Sequence, residues 1–225
     1  MSHIEQKRLK ALRRRLRAWF QRRGRALPWR EASATSYERI VSEVLLQRTR
    51  AETVATIFPS FIETFPDWQS LANASEADLE AFLRPIGLWR RRAKSLLAFA
   101  QHLKANDFVF PKSKEELLKW PAVGPYVAAA IAMFEHGQSA ALIDDGVARL
   151  LDRAYRCRTR ADLRTDAALR ELATSITNTR DSRTLNWAVL DVVSAHCRPR
   201  NPICGGCPLA VHCIYLADVR ASTTK

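Results

Sequence analysis

The sequence contains no apolar run near the roughly 20 residues that a membrane-spanning helix requires, so we expect a protein without membrane spans. Glycine and proline are scarce, at 7 and 10 of 225 residues, and no segment is of low complexity. Long alternations of apolar and polar residues are also missing, which argues against a sheet-rich architecture. With 47% hydrophobic residues, the composition favours a globular helical protein over a disordered or fibrous one.

Acidic residues are the minority charge, since 23 Asp and Glu stand against 36 Lys and Arg, a formal net charge of +13. This balance indicates a polyanionic partner, either nucleic acid or an anionic membrane surface, although a merely soluble basic protein has the same composition. Residues 1–17 lack the apolar core of a signal peptide, so we expect a cytoplasmic protein. Their helical stripe of leucines suits a protein core, with a membrane-surface helix as the alternative.

The spacing of the apolar residues predicts an all-α fold. Apolar side chains recur every three or four residues, the pattern of helices with one buried face. Turn signals built on proline or glycine separate the helical segments. No Pro/Gly/Ser-rich linker or internal repeat is present, so any two domains would share the chain discontinuously. The segments lie near residues 40–58, 79–83, 93–103, 113–120, 127–134, 147–151, 163–176 and 185–195.

Four of the five cysteines crowd near the C-terminal end: Cys197, Cys204, Cys207 and Cys213, spaced C-x6-C-x2-C-x5-C. In a chain without a signal peptide, thiols this closely spaced are metal ligands more often than disulfide partners. A structural zinc site usually has two C-x2-C pairs, and only one is present. Ligation by thiolates alone suits a 4Fe–4S cluster, which the pattern favours over zinc or disulfides. Cys157 lies outside the pattern and is expected to be a buried or incidental thiol.

A tight turn between two predicted helices runs from Trp120 to Tyr126. Pro125 suits the first turn of the second helix, where its missing N–H costs nothing. Amides at such a turn and helix start can hold a phosphate oxygen, although an ordinary helix connection has the same pattern. The turn is therefore a candidate phosphate-binding hairpin, with Val123 and Gly124 at its centre, and an ordinary helix connection is the alternative.

Three acidic residues are candidate catalytic groups. Asp144 and Asp145 follow an apolar pair and precede a helix, and two consecutive acids exceed what a helix cap needs. A carboxylate there can stabilise a cationic sugar in a dissociative transition state. Glu43 lies in an apolar helical stretch, where burial would raise its pKa toward a proton-donating role. A capping Asp and a hydrogen-bonded structural Glu are the alternatives.

Together these features resemble the helix-hairpin-helix DNA glycosylases with an iron–sulfur loop, over nearly the whole chain. The resemblance implies a six-helix barrel at 24–138 that carries the hairpin. It also implies a second, discontinuous iron–sulfur domain of residues 1–23 and 139–225. Double-stranded DNA with a mismatched or damaged base is the implied partner, bound by a monomeric bacterial or archaeal enzyme associated with the nucleoid. Asp144 matches the family's catalytic Asp.

The residues at the implied site favour one branch of the family. Endonuclease III-like enzymes carry a lysine that forms a Schiff base where this chain has Tyr126, so we expect a glycosylase without lyase activity. MIG-type thymine glycosylases carry Tyr at this position, and MutY adenine glycosylases typically carry Ser. Gln47 is MutY-like, whereas Arg48 and the segment around Leu88 are MIG-like. These three residues are candidates to fill the gap left by a flipped nucleotide.

The family's hairpin reads Leu-Pro-Gly-Val-Gly, whereas this chain has Trp120 and Ala122 at its first and third positions. If position 122 needs a positive φ, the alanine strains the turn by up to about 1 kcal/mol. Val127 also replaces the usual Thr.

We therefore expect an enzyme that hydrolyses the N-glycosidic bond of thymine or uracil opposite guanine, with Asp144, Glu43 and Tyr126 in its active site. The length of the chain also favours the thymine branch in this expectation, because MutY usually has a further C-terminal domain that recognises oxidised guanine. A MutY-type adenine glycosylase without that domain is the first alternative. A non-catalytic iron–sulfur DNA-binding module and a zinc-bearing regulatory protein are the alternatives of another class.

Overall fold

The computed structural model of the chain describes residues 3–157, 159 and 166–223. Every regular element in this part is helical, which confirms the all-α prediction. Within the described residues, three short 3-10 helices, Pro28–Arg30, Arg84–Ile86 and Ala210–His212, accompany the α-helices. The α-helices are α1 (His3–Arg23), α2 (Ser36–Leu45), α3 (Ala51–Thr64), α4 (Trp68–Asn73), α5 (Glu76–Leu83), α6 (Trp89–Lys104), α7 (Lys114–Leu117), α8 (Pro125–Phe134), α9 (Asp145–Tyr155), α10 (Ala167–Thr177), α11 (Ser182–Ala195) and α12 (Ile214–Thr223).

The chain divides into two compact units. One, here called the continuous unit, is Ala26–Gln138, and the other, the split unit, joins Met1–Arg25 to Ser139–Lys225. The sequence-based boundary at 23/24 falls two residues earlier than the structural one. Arg25 stays with α1 because its backbone N–H and its Nε donate to the carboxylate of Asp191 on α11, at 2.8 and 2.7 Å.

The continuous unit is built around an apolar core from α2 to α8. Four of its helices, α2, α4, α5 and α7, start at side chains that accept first-turn amides. Thr35 and Glu38 form a reciprocal capping box at α2, and Asp67 and Ser75 cap α4 and α5. Trp68, Phe99, Phe110 and Trp120 pack in one aromatic cluster, in edge-on, tilted and stacked pairs.

The split unit has its own apolar core, formed by α1, α9, α10 and α11. The N-terminal stripe contributes Leu12, Leu16 and Trp19, all buried there, so this amphipathic helix packs into a protein core. The predicted helix at 163–176 corresponds to α10, and residues 163–165 lie outside the described residues. No described helix has both the length and the apolar character needed to cross a membrane.

Candidate active site

The predicted hairpin lies between α7 and α8. Ala122 has φ +61°. This is the positive φ that glycine adopts freely and that strains the backbone of an alanine. Trp120 is 9% exposed and stacks on Phe110 with ring centroids 5.7 Å apart, which anchors the turn to the core. Val123 is buried, and its N–H donates to the carbonyl of Trp120 at 3.3 Å. The aromatic anchor gives a physical reason for tryptophan at the first hairpin position.

Gly124 and Pro125 start the second hairpin helix. Gly124 is the N-cap, and no side chain caps α8. Among the described residues, nothing lies within 4 Å of the position that a Cβ on Gly124 would occupy. The first-turn N–H groups of an uncapped helix can donate hydrogen bonds to a ligand, and the helix dipole favours an anion at this end. These features are the ones that a phosphate-binding helix start needs.

Glu43 and Tyr126 are brought together within the continuous unit. The phenol of Tyr126 donates a hydrogen bond to Oε2 of Glu43 at 2.9 Å. Glu43 is only 3% exposed and lies on α2 between the fully buried Val41 and Leu45. Tyr126 is half-buried at the start of α8. A carboxylate in such apolar surroundings requires a hydrogen-bond partner, and the tyrosine after the hairpin supplies one.

Two short loops carry the three residues expected to enter the DNA. Gln47 and Arg48 are exposed in the loop that follows α2, and Leu88, 54% exposed, precedes α6. Arg48 and Leu88 both adopt the left-handed backbone conformation, with φ +59° and +52°. The guanidinium groups of Arg84 and Arg90 lie over the ring of Trp89 at 5.2 and 4.0 Å. Exposed apolar and cationic groups therefore share this surface.

Thr49 and Arg92 connect these two loops, a role that the sequence interpretation missed. Arg92 donates to the carbonyl of Gln47 at 2.8 Å and to the hydroxyl of Thr49 at 2.9 Å. The hydroxyl of Thr49 donates to the carbonyl of Ile86 at 3.3 Å. A signal was present, because Arg92 occupies the same helical stripe as the buried Leu96 and Phe99.

Asp144 lies in the split unit as the N-cap of α9, where its Oδ1 accepts the N–H of Val147 at 2.6 Å. Asp145 is the first residue of the helix, and both acids are exposed. Gly146 is needed because a Cβ there would meet a methyl group of Val193 at 2.5 Å. The glycine lets α9 begin against α11 and so fixes the turn that presents both carboxylates.

The four clustered cysteines lie in the split unit between α11 and the start of α12, and none forms a disulfide. Burial, with a contribution from the three other thiols, raises the pKa of Cys207 to about 11. Burial also raises the pKa of Cys204. The bare thiols of Cys204 and Cys207 would therefore stay protonated at neutral pH, and a bound cation would be needed to hold these two as thiolates.

Arg153 on α9 organises this cysteine loop. Its guanidinium donates to Sγ of Cys197 at 3.6 Å and to the carbonyl of Arg198 at 2.7 Å, and its own carbonyl accepts from Sγ of Cys213 at 3.6 Å. The four soft donors fit a cluster by their chemistry. Within residues 3–157, 159 and 166–223, however, no three His, Cys, Asp or Glu side chains form a group that could hold a metal ion.

The fold and these residues define a DNA repair protein of the helix-hairpin-helix class. A family model for the HhH-GPD superfamily base excision DNA repair proteins matches residues 41–175, and the chain belongs to this family. This confirms the resemblance drawn from the sequence.

Two curated relatives and one solved structure refine the comparison. The chain is 32% identical to a thymine-DNA glycosylase of Aeropyrum pernix over 220 residues, covering 96% of this chain and 98% of the relative. It is 34% identical to an adenine DNA glycosylase of Mycobacterium tuberculosis over 198 residues, covering 86% of this chain and 64% of the relative. A solved thermostable thymine-DNA glycosylase superposes with a TM-score of 0.81 at 25% identity, covering 95% and 99% of the two chains.

Proposed function

We propose that this protein is a monofunctional DNA glycosylase that hydrolyses the N-glycosidic bond of thymine or uracil opposite guanine in double-stranded DNA. The observation that carries the proposal is the hydrogen bond of 2.9 Å between Tyr126 and the buried Glu43. A phenol directly after the hairpin cannot form the Schiff base that an amine would form, so the nucleophile is water. The thymine-DNA glycosylase of Aeropyrum pernix, alike over almost its full length, supports this substrate class.

Each acidic group has a separate role in the proposed reaction. The bond between C1′ and the base nitrogen breaks, its electron pair leaves with the base, and positive charge develops on the sugar. The Asp144 carboxylate stabilises that charge and orients the water that adds to C1′, and the proton that this water loses passes to the departing base. Glu43 hydrogen-bonds the base, and Tyr126 holds that carboxylate and packs against the flipped base or sugar.

The remaining predicted residues hold the DNA. Gly124 and Val123 place the start of α8 against a phosphate, where the uncapped helix favours an anion. Gln47, Arg48 and Leu88, exposed on their two loops, fill the space that the flipped nucleotide leaves. Because the chain carries a net charge of +13, binding is expected to weaken steeply as salt rises.

We also propose that Cys197, Cys204, Cys207 and Cys213 hold a 4Fe–4S cluster, which supplies structural cross-linking of the C-terminal segment. The chemistry of four free thiols and the contacts of Arg153 with two of them support this assignment. No step of the proposed reaction passes through the cluster.

Adenine release is the second candidate function. The 34% identity to the adenine DNA glycosylase of Mycobacterium tuberculosis favours it, since that value is close to the 32% found for the thymine enzyme. A buried Glu43 could also protonate an adenine.

A base-release assay separates the candidates. Wild type, Asp144→Asn and Glu43→Gln are incubated with duplexes that place thymine, uracil or adenine opposite guanine, and released base is quantified before and after alkali. We expect release of thymine and uracil by wild type, strand cleavage only after alkali, and loss of release in both variants.

Each other outcome contradicts a part of the proposal. Release of adenine with pyrimidines untouched assigns the protein to the adenine branch. Strand cleavage without alkali contradicts monofunctional chemistry. Binding of every duplex without base release leaves a non-catalytic DNA-binding module.

A further inference from the structure

Arg92 is a buried cation at the N-terminal end of α6. Its side chain is 6% exposed, in the same helical stripe as Leu96, Phe99 and Leu103, where an apolar residue is the ordinary occupant. Its recorded hydrogen bonds go to uncharged oxygens, and it forms no ion pair within the described chain. A buried charge that is neutralised by no carboxylate needs another reason to be retained.

The acceptors of this guanidinium lie on two separate loops. Nη2 donates to the carbonyl of Gln47 at 2.8 Å and to the hydroxyl of Thr49 at 2.9 Å, while Nη1 reaches the carbonyl of Ile86 at 3.5 Å. The Thr49 hydroxyl completes the link by donating to that same carbonyl at 3.3 Å. Arg92 also belongs to the second loop through its backbone, since its N–H donates to the carbonyl of Leu88 at 2.9 Å.

Each linked loop presents a side chain from a strained backbone position. Arg48 stands between the two acceptors of the first loop, and Leu88 comes two residues after the acceptor of the second. Their left-handed conformations, φ +59° and +52°, are ones that arginine and leucine rarely adopt. Such conformations persist only where the surroundings over-determine them, and the Arg92 hydrogen bonds supply that constraint.

We infer that Arg92 is a positioning residue that sets the spacing of the Arg48 and Leu88 side chains, so that both enter the DNA stack as one rigid pair. This inference rests on the proposed function. Arg92 touches neither substrate nor reacting atoms in this role, and it acts through the two loops. A planar guanidinium suits the task, because its donors reach several acceptors in a fixed geometry that an ammonium cannot reproduce.

The test measures base flipping separately from chemistry. A duplex with 2-aminopurine beside a target uracil reports unstacking by fluorescence, and the Asp144→Asn background keeps the substrate intact. We expect Arg92→Lys to lower the flipping equilibrium by about tenfold, the effect of losing one or two net hydrogen bonds. Thr49→Val, which removes one hydroxyl and preserves size, should act in the same direction with a smaller loss.

Two controls separate positioning from general destabilisation. Leu103→Ala lies at the far end of the same helix and is fully buried in wild type, so it lowers stability without touching either loop. It should leave the flipping signal unchanged. In a Leu88→Ala background, Arg92→Lys should cause a smaller further loss than it causes alone, because residues that act through one another are not additive.

The possible failures are distinguishable. If wild type releases neither pyrimidine in the base-release assay, both the proposed function and this inference are wrong. If wild type releases the base but Arg92→Lys flips it normally, or no worse than Leu103→Ala, the inference alone is overturned. Full additivity of Arg92→Lys and Leu88→Ala also overturns it.

Discussion

The phenol of Tyr126 and the carboxylate of Glu43 lie 83 positions apart in the chain and are joined by a hydrogen bond of 2.9 Å. The bond links the helix after the hairpin to the most apolar stretch of α2, so that it connects the hairpin turn to a buried acidic group.

A double-mutant cycle tests this bond. Tyr126→Phe should lower the single-turnover rate of base release by about tenfold, since hydrogen bonds to charged groups contribute roughly 1.5–3 kcal/mol. The double variant Tyr126→Phe/Glu43→Gln should lose less than the sum of the single losses, because both changes remove the same interaction. Additive losses would show that the two side chains act independently.

Asp144 combines a structural and a proposed chemical role that substitution can separate. Asparagine is as good an N-cap as aspartate, so Asp144→Asn should leave the unfolding free energy nearly unchanged while base release falls on the order of 10²–10³-fold. Asp144→Ala should also lose about 1 kcal/mol of stability. Denaturant titration and base release are measured side by side. An equal loss of activity in the neighbouring variant Asp145→Asn would contradict the assignment to Asp144.

Ala122 offers a stabilising substitution. Because its φ is +61°, Ala122→Gly should raise the unfolding free energy by up to about 1 kcal/mol. The matched control is Ala132→Gly in the interior of α8, which should lower it by about 1 kcal/mol. Urea unfolding at constant m-value checks both. A destabilising Ala122→Gly would mean that the methyl group has a packing role that outweighs the backbone strain.

Tyr37 predicts a pH dependence of stability. Burial, with smaller contributions from Asp67 and Glu38, raises its pKa far above the ordinary tyrosine value, and its hydroxyl donates to the carbonyl of Phe65 at 2.6 Å. A raised pKa in the folded state gives stability that is present below the unfolded value, about 10, and is lost as the pH rises beyond it.

Comparison with Tyr37→Phe isolates this effect. At neutral pH the variant should be less stable by about 1–2 kcal/mol, since the Phe65 carbonyl loses its donor. Above pH 10 wild type should lose stability faster, and the difference should shrink. A difference that stays constant between pH 8 and about 11.5 would show that the tyrosine does not titrate differently in the two states.

The cysteine assignment predicts a coloured protein. Anaerobically purified wild type should show broad visible absorption and equal amounts of iron and acid-labile sulfide. Cys207→Ser should lose both, while Cys157→Ser, which alters the one cysteine outside the pattern, should retain them. Zinc without colour would replace the cluster proposal with a zinc site.

The helices were predictable where the sequence carries strong local signals. Pro125 at the first turn of α8 and the apolar run to Phe134 predict that helix almost to the residue. The buried stripe of α1 was equally clear, because leucines recur at helical spacing between arginines. Such features depend on neighbouring residues alone, so one sequence suffices to find them.

The arrangement of the candidate site was harder to predict from the sequence. Nothing in the sequence indicates that Arg48 and Leu88 adopt left-handed conformations, since their residue types disfavour them. The contacts of Arg92 end mainly on backbone carbonyls, which every residue has and which leave no signature in the sequence. Long-range pairs such as Tyr126 with Glu43 can be found only once the fold is known, although the sequence singled out each of the two residues separately as a candidate site residue.

The bond between Arg25 and Asp191 spans 166 positions, and its two partners are among the first and last parts of the split unit to be made. During synthesis, α1 must wait until the whole continuous unit has been added, roughly ten seconds at ribosomal rates. In that interval the leucine stripe of α1 lacks the helix α11 on which it packs. The many arginines between the leucines keep α1 soluble, because their like charges repel other copies of the helix. The positive charge of α1 thus also opposes self-association of a helix that docks late.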